Sequence, residues 1–152
     1  MTVFEKIQKL LTDAEVVFRV LDHEPVFTSE EAARIRDTDL SQGAKALVMI
    51  ADKNPLLFVV PGDRRADFSK IKKNFSVKDL RMATTEEVEK LTGLKVGSIP
   101  PVGKAIGLKS YFDSSFAIKD EVTFNAGSHT RSVLMQSKDL IKIEDPEILD
   151  IT

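Results

Sequence analysis

One lysine interrupts a run that is otherwise apolar or small: Lys45, within GAKALVMIA at residues 43–51. Such a run reads as a buried strand, so a lysine at its entering end either snorkels to solvent or aims its ammonium into a cleft. In a partly dry cleft that charge stabilises a carboxylate, a phosphate or the developing oxyanion of an ester far better than it would in bulk water. Two further segments carry polar or main-chain chemistry. GSIPPVG, residues 97–103, is stiffened by Pro100 and Pro101 and allowed to turn by Gly97 and Gly103. That combination suits backbone N–H groups converging on one point, although a plain helix-to-strand connection fits the same residues.

FNAGSHTRS, residues 124–132, sets Gly127, Ser128 and His129 just after a strand-like stretch. The glycine would admit a ligand close to the backbone, and the other two supply short polar groups. Adjacent residues on a strand face opposite ways, so Ser128 and His129 are not read as a hydrolase dyad. No GxSxG elbow offers a serine nucleophile instead. His129 is read as binding or orienting a substrate, and His23, in the connection before Glu24 and Pro25, as structural.

The elements that must position these groups follow from patterning. TVFEKIQKLL is an amphipathic helix capped by Thr2, and VVFRVL, residues 16–21, is a strand. Thr28 and Glu31 have capping-box spacing for a short helix in TSEEAARI. The Lys45 strand pairs with LLFVV across the turn-like DKNP. ADFSKIKKNF is a helix with Phe68, Ile71 and Phe75 on one side, LRMA a strand, and TTEEVEKLTG a helix capped by Thr84 or Thr85 and closed by Gly93. IGLKSYF, VTFNA and SVLMQ are strands, DSSFAIKDE a short helix or turn, and SKDLIKI a final capped helix. Strands interleaved with short helices make a mixed α/β or α+β domain, and no strand leads into a glycine-rich phosphate loop.

A chain of 152 residues is expected to form one domain, 1–152. With no cysteine, disulfides, thiol catalysis and thiolate metal sites are excluded, and two histidines without ligand spacing argue against a zinc cage. No apolar stretch approaches the roughly 20 residues of a membrane span, and no signal segment is recognisable, so a cytoplasmic protein is expected. The net charge of −2 disfavours indiscriminate nucleic-acid coating. Between Arg64 and Arg81, however, Arg64, Arg65, Lys70, Lys72, Lys73, Lys78 and Arg81 face only Asp67 and Asp79. A phosphate-binding face and an ordinary solvated helix surface both fit that segment.

The order and spacing of HEPVFTSEEAA, GAKALVM, PGDRRADFSKIKK, LRMATTEEVEKLTG, GSIPPVG and FNAGSHTRSV make the chain resemble the YbaK and ProX superfamily. These are free-standing aminoacyl-tRNA deacylases that edit in trans, related to the editing insertion of bacterial prolyl-tRNA synthetase. The resemblance implies a YbaK-like α+β domain with a mixed, mostly antiparallel sheet of about six or seven strands among short helices. It implies hydrolysis of the ester joining a small mischarged amino acid, of the alanine, serine, threonine or cysteine class, to tRNA. Lys45 would be the catalytic residue, and Gly97, Ser98, Ile99 and Pro100 would supply backbone contacts near the scissile ester. Gly127, Ser128 and His129 would close the other side, with Phe27 as an aromatic wall. The N–H groups of residues 98 and 99 are expected to polarise the carbonyl.

Ala46 follows the lysine, at a position that touches the amino acid in the family. Its methyl group offers no hydrogen bond, which leaves Ser98 or His129 to recognise a polar substrate. An aminoacyl ester is already activated, so positioned water and the vicinal ribose hydroxyl suffice, with no metal or cofactor. Arg64, Arg65, Lys70, Lys72 and Lys73 are the expected tRNA contacts, with a synthetase or elongation factor as a further partner. Two rivals remain at this stage: a non-catalytic module that binds an amino acid or aminoacyl group, and a hydrolase of another small ester.

Overall fold

The computed structural model describes residues 1–152. Helix α1 (Val3–Asp13) starts where the Thr2 hydroxyl accepts the Glu5 N–H, and buries Ile7 and Leu11, one helical turn apart. Strand β1 (Phe18–Asp22) begins two residues later than the sequence predicts, because Val16 still closes the helix through its N–H to the Leu11 carbonyl. Helix α2 (Ser29–Arg36) is capped by Thr28 and ends on Asp37 in the left-handed region. A 3₁₀ turn at Leu40–Gln42 leads into the hairpin β2 (Ala44–Ala51) and β3 (Asn54–Pro61). Its two-residue turn is Asp52–Lys53, both at positive φ, the twist that matches flanking strands.

Helix α3 (Phe68–Phe75), strand β4 (Leu80–Met82) and helix α4 (Thr85–Thr92) follow as expected, α4 being opened by the Thr84–Glu87 capping box and closed by Gly93. After the glycine–proline loop come β5 (Ser110–Asp113), a 3₁₀ segment (Ser114–Ile118), β6 (Glu121–Asn125) and β7 (Arg131–Gln136). Helix α5 (Ser137–Glu144) lacks the predicted side-chain cap, since the Ser137 hydroxyl donates to the Phe116 carbonyl instead. The chain also continues beyond that helix into β8 (Glu147–Leu149), which the sequence reading omits.

The mixed, mostly antiparallel class is as expected, but the eight strands divide between two sheets. One has the order β1-β7-β6; the other runs β4-β2-β3-β5-β8, with β3-β5 and β5-β8 parallel. Val48, Leu57, Val59 and Phe112 of the larger sheet meet Val122, Phe124, Val133 and Met135 of the smaller, with α1 sealing the layer through Ile7 and Leu11. The opposite face of the larger sheet packs Met49, Phe58, Val60 and Tyr111 on Ile71 of α3. This period-two alternation along β2 and β3 fixes their register. Where the sheets approach at their ends, Gly43 forms an isolated bridge to Thr123. No helix is long and apolar enough to cross a membrane.

Candidate functional site

A pocket of about 120 Å³ opens at that seam. Its walls are α2 (Ala32, Ala33, Arg36), the entry to β2 (Gly43 to Ala46), Gly62, the loop residues Gly97 and Ile99, and Thr123 and Asn125 of β6. Most of these side chains are small. An apolar cavity of about 150 Å³ takes a benzene molecule, so this volume suits a small ligand group rather than a large aromatic one. Backbone crowding keeps the pocket's edge small: a Cβ on Gly62 would lie 2.6 Å from the Leu40 carbonyl oxygen.

Lys45 sits at the pocket wall. It lines the pocket beside Ala44 and Ala46, and its Nζ donates to the Arg64 carbonyl at 3.3 Å. The ammonium has no carboxylate partner. The same contact joins the pocket to the basic turn after β3. Of the basic residues, Arg64, Arg65, Lys72 and Lys73 are exposed without a carboxylate, whereas Lys70 is bound to Asp150 at 3.1 Å. Arg81 is likewise held by Glu87.

Phe27, Ala46, Gly97 and Ile99 line the pocket with Lys45. Phe27 is 70% exposed at the mouth and packs on the His129 ring, centroids 4.8 Å apart. That pairing follows from main-chain bonds of His23 and Val26 to Thr130 and His129, which lay the segment before Phe27 beside β7.

Ser98, Pro100, Gly127, Ser128 and His129 stand behind this wall rather than in it. Ser98 donates its hydroxyl to the Lys95 carbonyl at 2.7 Å, and its N–H goes to the same oxygen. Of the two amides expected to polarise a carbonyl, therefore, Ser98 is committed and only that of Ile99 has no acceptor within the chain. Pro100 is buried. Gly127 donates to the Ser98 carbonyl and, at φ 80°, lies so close to helix α1 that a Cβ would be 3.1 Å from Val3. The Ser128 hydroxyl pairs with Thr130, and His129 Nε2 donates to the Val96 carbonyl at 2.9 Å. The Ser98 hydroxyl and His129 Nε2 are thus engaged within the fold, while His129 Nδ1 has no partner in the chain.

The feature missed by sequence reasoning is Arg36. It is the only buried cation, 9% exposed, and it lines the pocket. Its guanidinium donates through Nε to Ser132 Oγ at 2.8 Å and through its two terminal nitrogens to Thr123 Oγ1 at 2.9 Å and Asn125 Oδ1 at 2.8 Å. All three partners are neutral. Burial lowers its pKa to about 10, which leaves it cationic at neutral pH. His23 extends the network: Nδ1 donates to the Glu24 carbonyl at 2.8 Å, and Nε2 pairs with the Ser132 hydroxyl at 2.7 Å. Asn125 passes it on by donating Nδ2 to the Gly97 carbonyl at 2.7 Å. The available signals were the i, i+4 spacing of Ala32 and Arg36 on one helical face and the polar alternation of Thr123 and Asn125 in VTFNA.

The far end of the glycine–proline loop is clamped separately. Glu144 accepts the N–H groups of Gly103 at 2.7 Å and Lys104 at 3.2 Å, together with the Ser110 hydroxyl. Burial raises its pKa, and those hydrogen bonds oppose the rise without cancelling it.

Residues 23–143 match the model of the aminoacyl-tRNA editing domain. The multifunctional Ser/Thr-tRNA deacylase ProXp-y of Escherichia coli (strain K12) is 34% identical over 151 residues, covering 96% of this chain and 90% of that protein. The proline–tRNA ligase of Aquifex aeolicus (strain VF5) is 35% identical over 103 residues, 66% of this chain but 18% of the ligase. A crystal structure of a candidate trans-editing enzyme for prolyl tRNA synthetase superposes with a TM-score of 0.86 at 28% identity, covering 100% of this chain and 98% of that one.

Proposed function

The chain belongs to the aminoacyl-tRNA editing family, and from that premise we propose that it hydrolyses the ester of a small mischarged amino acid on tRNA at the pocket between its two sheets. The observation that carries this reading is the pocket itself, about 120 Å³, walled mostly by small residues, with two cations, Lys45 and Arg36, that have no carboxylate partner and one carboxylate, Asp39. A small acyl group fits; a developing negative charge is stabilised where water is partly excluded.

Catalysis in this reading is positioning plus electrostatics. The Lys45 ammonium attends the ester or the terminal nucleotide, the unused Ile99 N–H polarises the carbonyl, and water aided by the vicinal ribose hydroxyl attacks. Ser128 and His129, already bonded to other groups, take no nucleophilic part. The exposed Phe27 face offers a stacking surface at the mouth, and Arg64 and Arg65, beside Lys45, meet the phosphates of the acceptor end. A synthetase or an elongation factor would supply whatever tRNA selection this domain lacks.

The test is turnover by the purified protein on tRNAs charged with alanine, serine, threonine, cysteine or proline. Rapid release of one mischarged amino acid, with salt-sensitive binding of the tRNA, supports the reading. No release from any of them, by protein that remains folded, overturns it.

A further inference from the structure

Charge on the pocket wall changes sign with depth. Arg36, 9% exposed, belongs to the inner part, its terminal nitrogens held by Thr123 and Asn125, which line the pocket too. Asp39 lines the same pocket but is exposed, which places it at the rim. It is the only carboxylate among the lining residues, and it forms no ion pair. Its backbone is fixed, because it opens the 3₁₀ turn that leads into β2 and its N–H donates to Gln42 Oε1 at 2.9 Å. A carboxylate has about four acceptor sites, so opening that turn leaves capacity for a ligand.

We propose that Asp39 receives the α-ammonium of the aminoacyl group, so that the site selects esters with a free amine and spares amine-blocked and peptidyl esters of tRNA. This deepens the deacylase reading above and rests on it. The ester oxygen joins the amino acid to a polynucleotide that stays outside a pocket of about 120 Å³, so the amino acid enters with its side chain foremost. Its α-carbon, one bond from the ester carbonyl, then stops near the rim, and the ammonium it carries comes to the depth of Asp39. Deeper placement is opposed, since Arg36 is cationic at neutral pH and Lys45 bears a second positive charge. Neutral acceptors on the wall are already committed: Thr28 bonds Glu31, while Thr123 Oγ1 and Asn125 Oδ1 accept from Arg36. With the ammonium at the rim, the ester carbonyl is left to Lys45 and the unused Ile99 N–H. Opposite charges of this kind fix the register of a bound ligand, and like charges reject the reverse one.

The experiment takes the mischarged tRNA that turns over fastest and its deaminated form, in which a hydroxyl replaces the α-amine. It measures kcat/KM on both for the wild type and Asp39→Asn. Asparagine keeps the side chain's size and an oxygen able to open the turn, so the fold is retained. The ammonium also alters the intrinsic reactivity of the ester, but equally for both proteins, and this cancels when their amine-to-hydroxyl ratios are compared. The proposal expects the ratio to fall at least about tenfold in Asp39→Asn. It also expects the wild type to hydrolyse the N-acetylated form at least about tenfold more slowly than the free amine. An unchanged ratio in a folded, active Asp39→Asn overturns it, even where both rates fall, since a structural loss lowers them together. Equal wild-type turnover of the N-acetylated and free-amine forms overturns it too, and in either case the deacylase reading survives. A wild type inactive on every charged tRNA overturns the deacylase reading, and this proposal with it.

Discussion

Asn125 Oδ1 accepts from the buried guanidinium of Arg36 at 2.8 Å, while Nδ2 of the same amide donates to the Gly97 carbonyl at 2.7 Å. One side chain thus holds both the pocket's buried cation and its backbone loop. Asn125→Ala removes both bonds and strands part of a buried charge, at a cost of roughly 1–3 kcal/mol. Asn125→Asp keeps an acceptor for Arg36 but turns an oxygen toward the Gly97 carbonyl. Urea denaturation should show that aspartate recovers most of the lost stability, while deacylation stays reduced at least tenfold in both variants.

Lys45→Ala should lower kcat/KM on the preferred mischarged tRNA by about 100-fold or more, the range seen when one preorganised donor to an oxyanion is removed. Its side chain bonds only the Arg64 carbonyl, so the melting temperature should hardly move. Single-turnover deacylation beside thermal melting checks both halves. Retained activity in the alanine variant would remove the lysine from the mechanism.

Gly97 and Gly93 form a matched pair. Both have positive φ, 89° and 74°, but a Cβ on Gly97 would lie 3.0 Å from His129 Nε2, whereas one on Gly93 meets nothing within 4 Å. Gly93→Ala should cost about 1 kcal/mol through the left-handed backbone alone. Gly97→Ala should cost more and also slow deacylation, because the His129 ring and the Phe27 packed against it must move. Equal losses of stability with unchanged turnover would disconnect the loop from the site.

Phe27→Ala removes an exposed ring that contributes little to the core. We expect KM for charged tRNA to rise about fivefold to thirtyfold with stability nearly unchanged, from a stacking contribution of roughly 1–2 kcal/mol. Initial-rate measurements over a range of tRNA concentrations resolve it, and an effect confined to kcat would contradict a stacking role.

Glu87 offers a pH-dependent test of the α4 cap. The Arg81 guanidinium at 2.7 Å and the Thr84 N–H hold its carboxyl well below the ordinary 4.5, to about 2. A folded pKa below the unfolded one means the contribution is present above pH 4.5 and is lost as pH falls toward 2. Glu87→Gln should therefore melt below the wild type at pH 7, with the gap closing through that window. A gap independent of pH would assign the loss to the cap geometry alone.

Legibility divided along physical lines. Caps, turns and strand periods are local, so Thr2, Thr28, Thr84 and Gly93 announced their elements correctly. The motif residues Lys45, Gly97 and Ile99 line the pocket. Sequence could not reveal what Ser98 and His129 bond to, because their acceptors, the carbonyls of Lys95 and Val96, belong to a loop with no periodicity. Arg36 was hidden for a different reason. An arginine in the last turn of a short helix ordinarily faces water and complements the helix dipole, and only Ser132, Thr123 and Asn125, nearly a hundred residues away, make its burial tolerable. β8 was missed because a three-residue parallel edge carries almost no signal of its own.

The Gly43–Thr123 bridge fastens the two sheets at the pocket while the packed layer of Val48, Phe124 and their neighbours sets their separation elsewhere. A pocket with one wall on each sheet takes its width from that separation as well as from the residues that line it. Enlarging or trimming a buried side chain in the layer, far from any substrate atom, would tilt one wall against the other. Selectivity among small amino acids could then drift between relatives whose lining residues are identical, and a redesign that repacks the inter-sheet layer would retune it without touching Lys45 or Arg36.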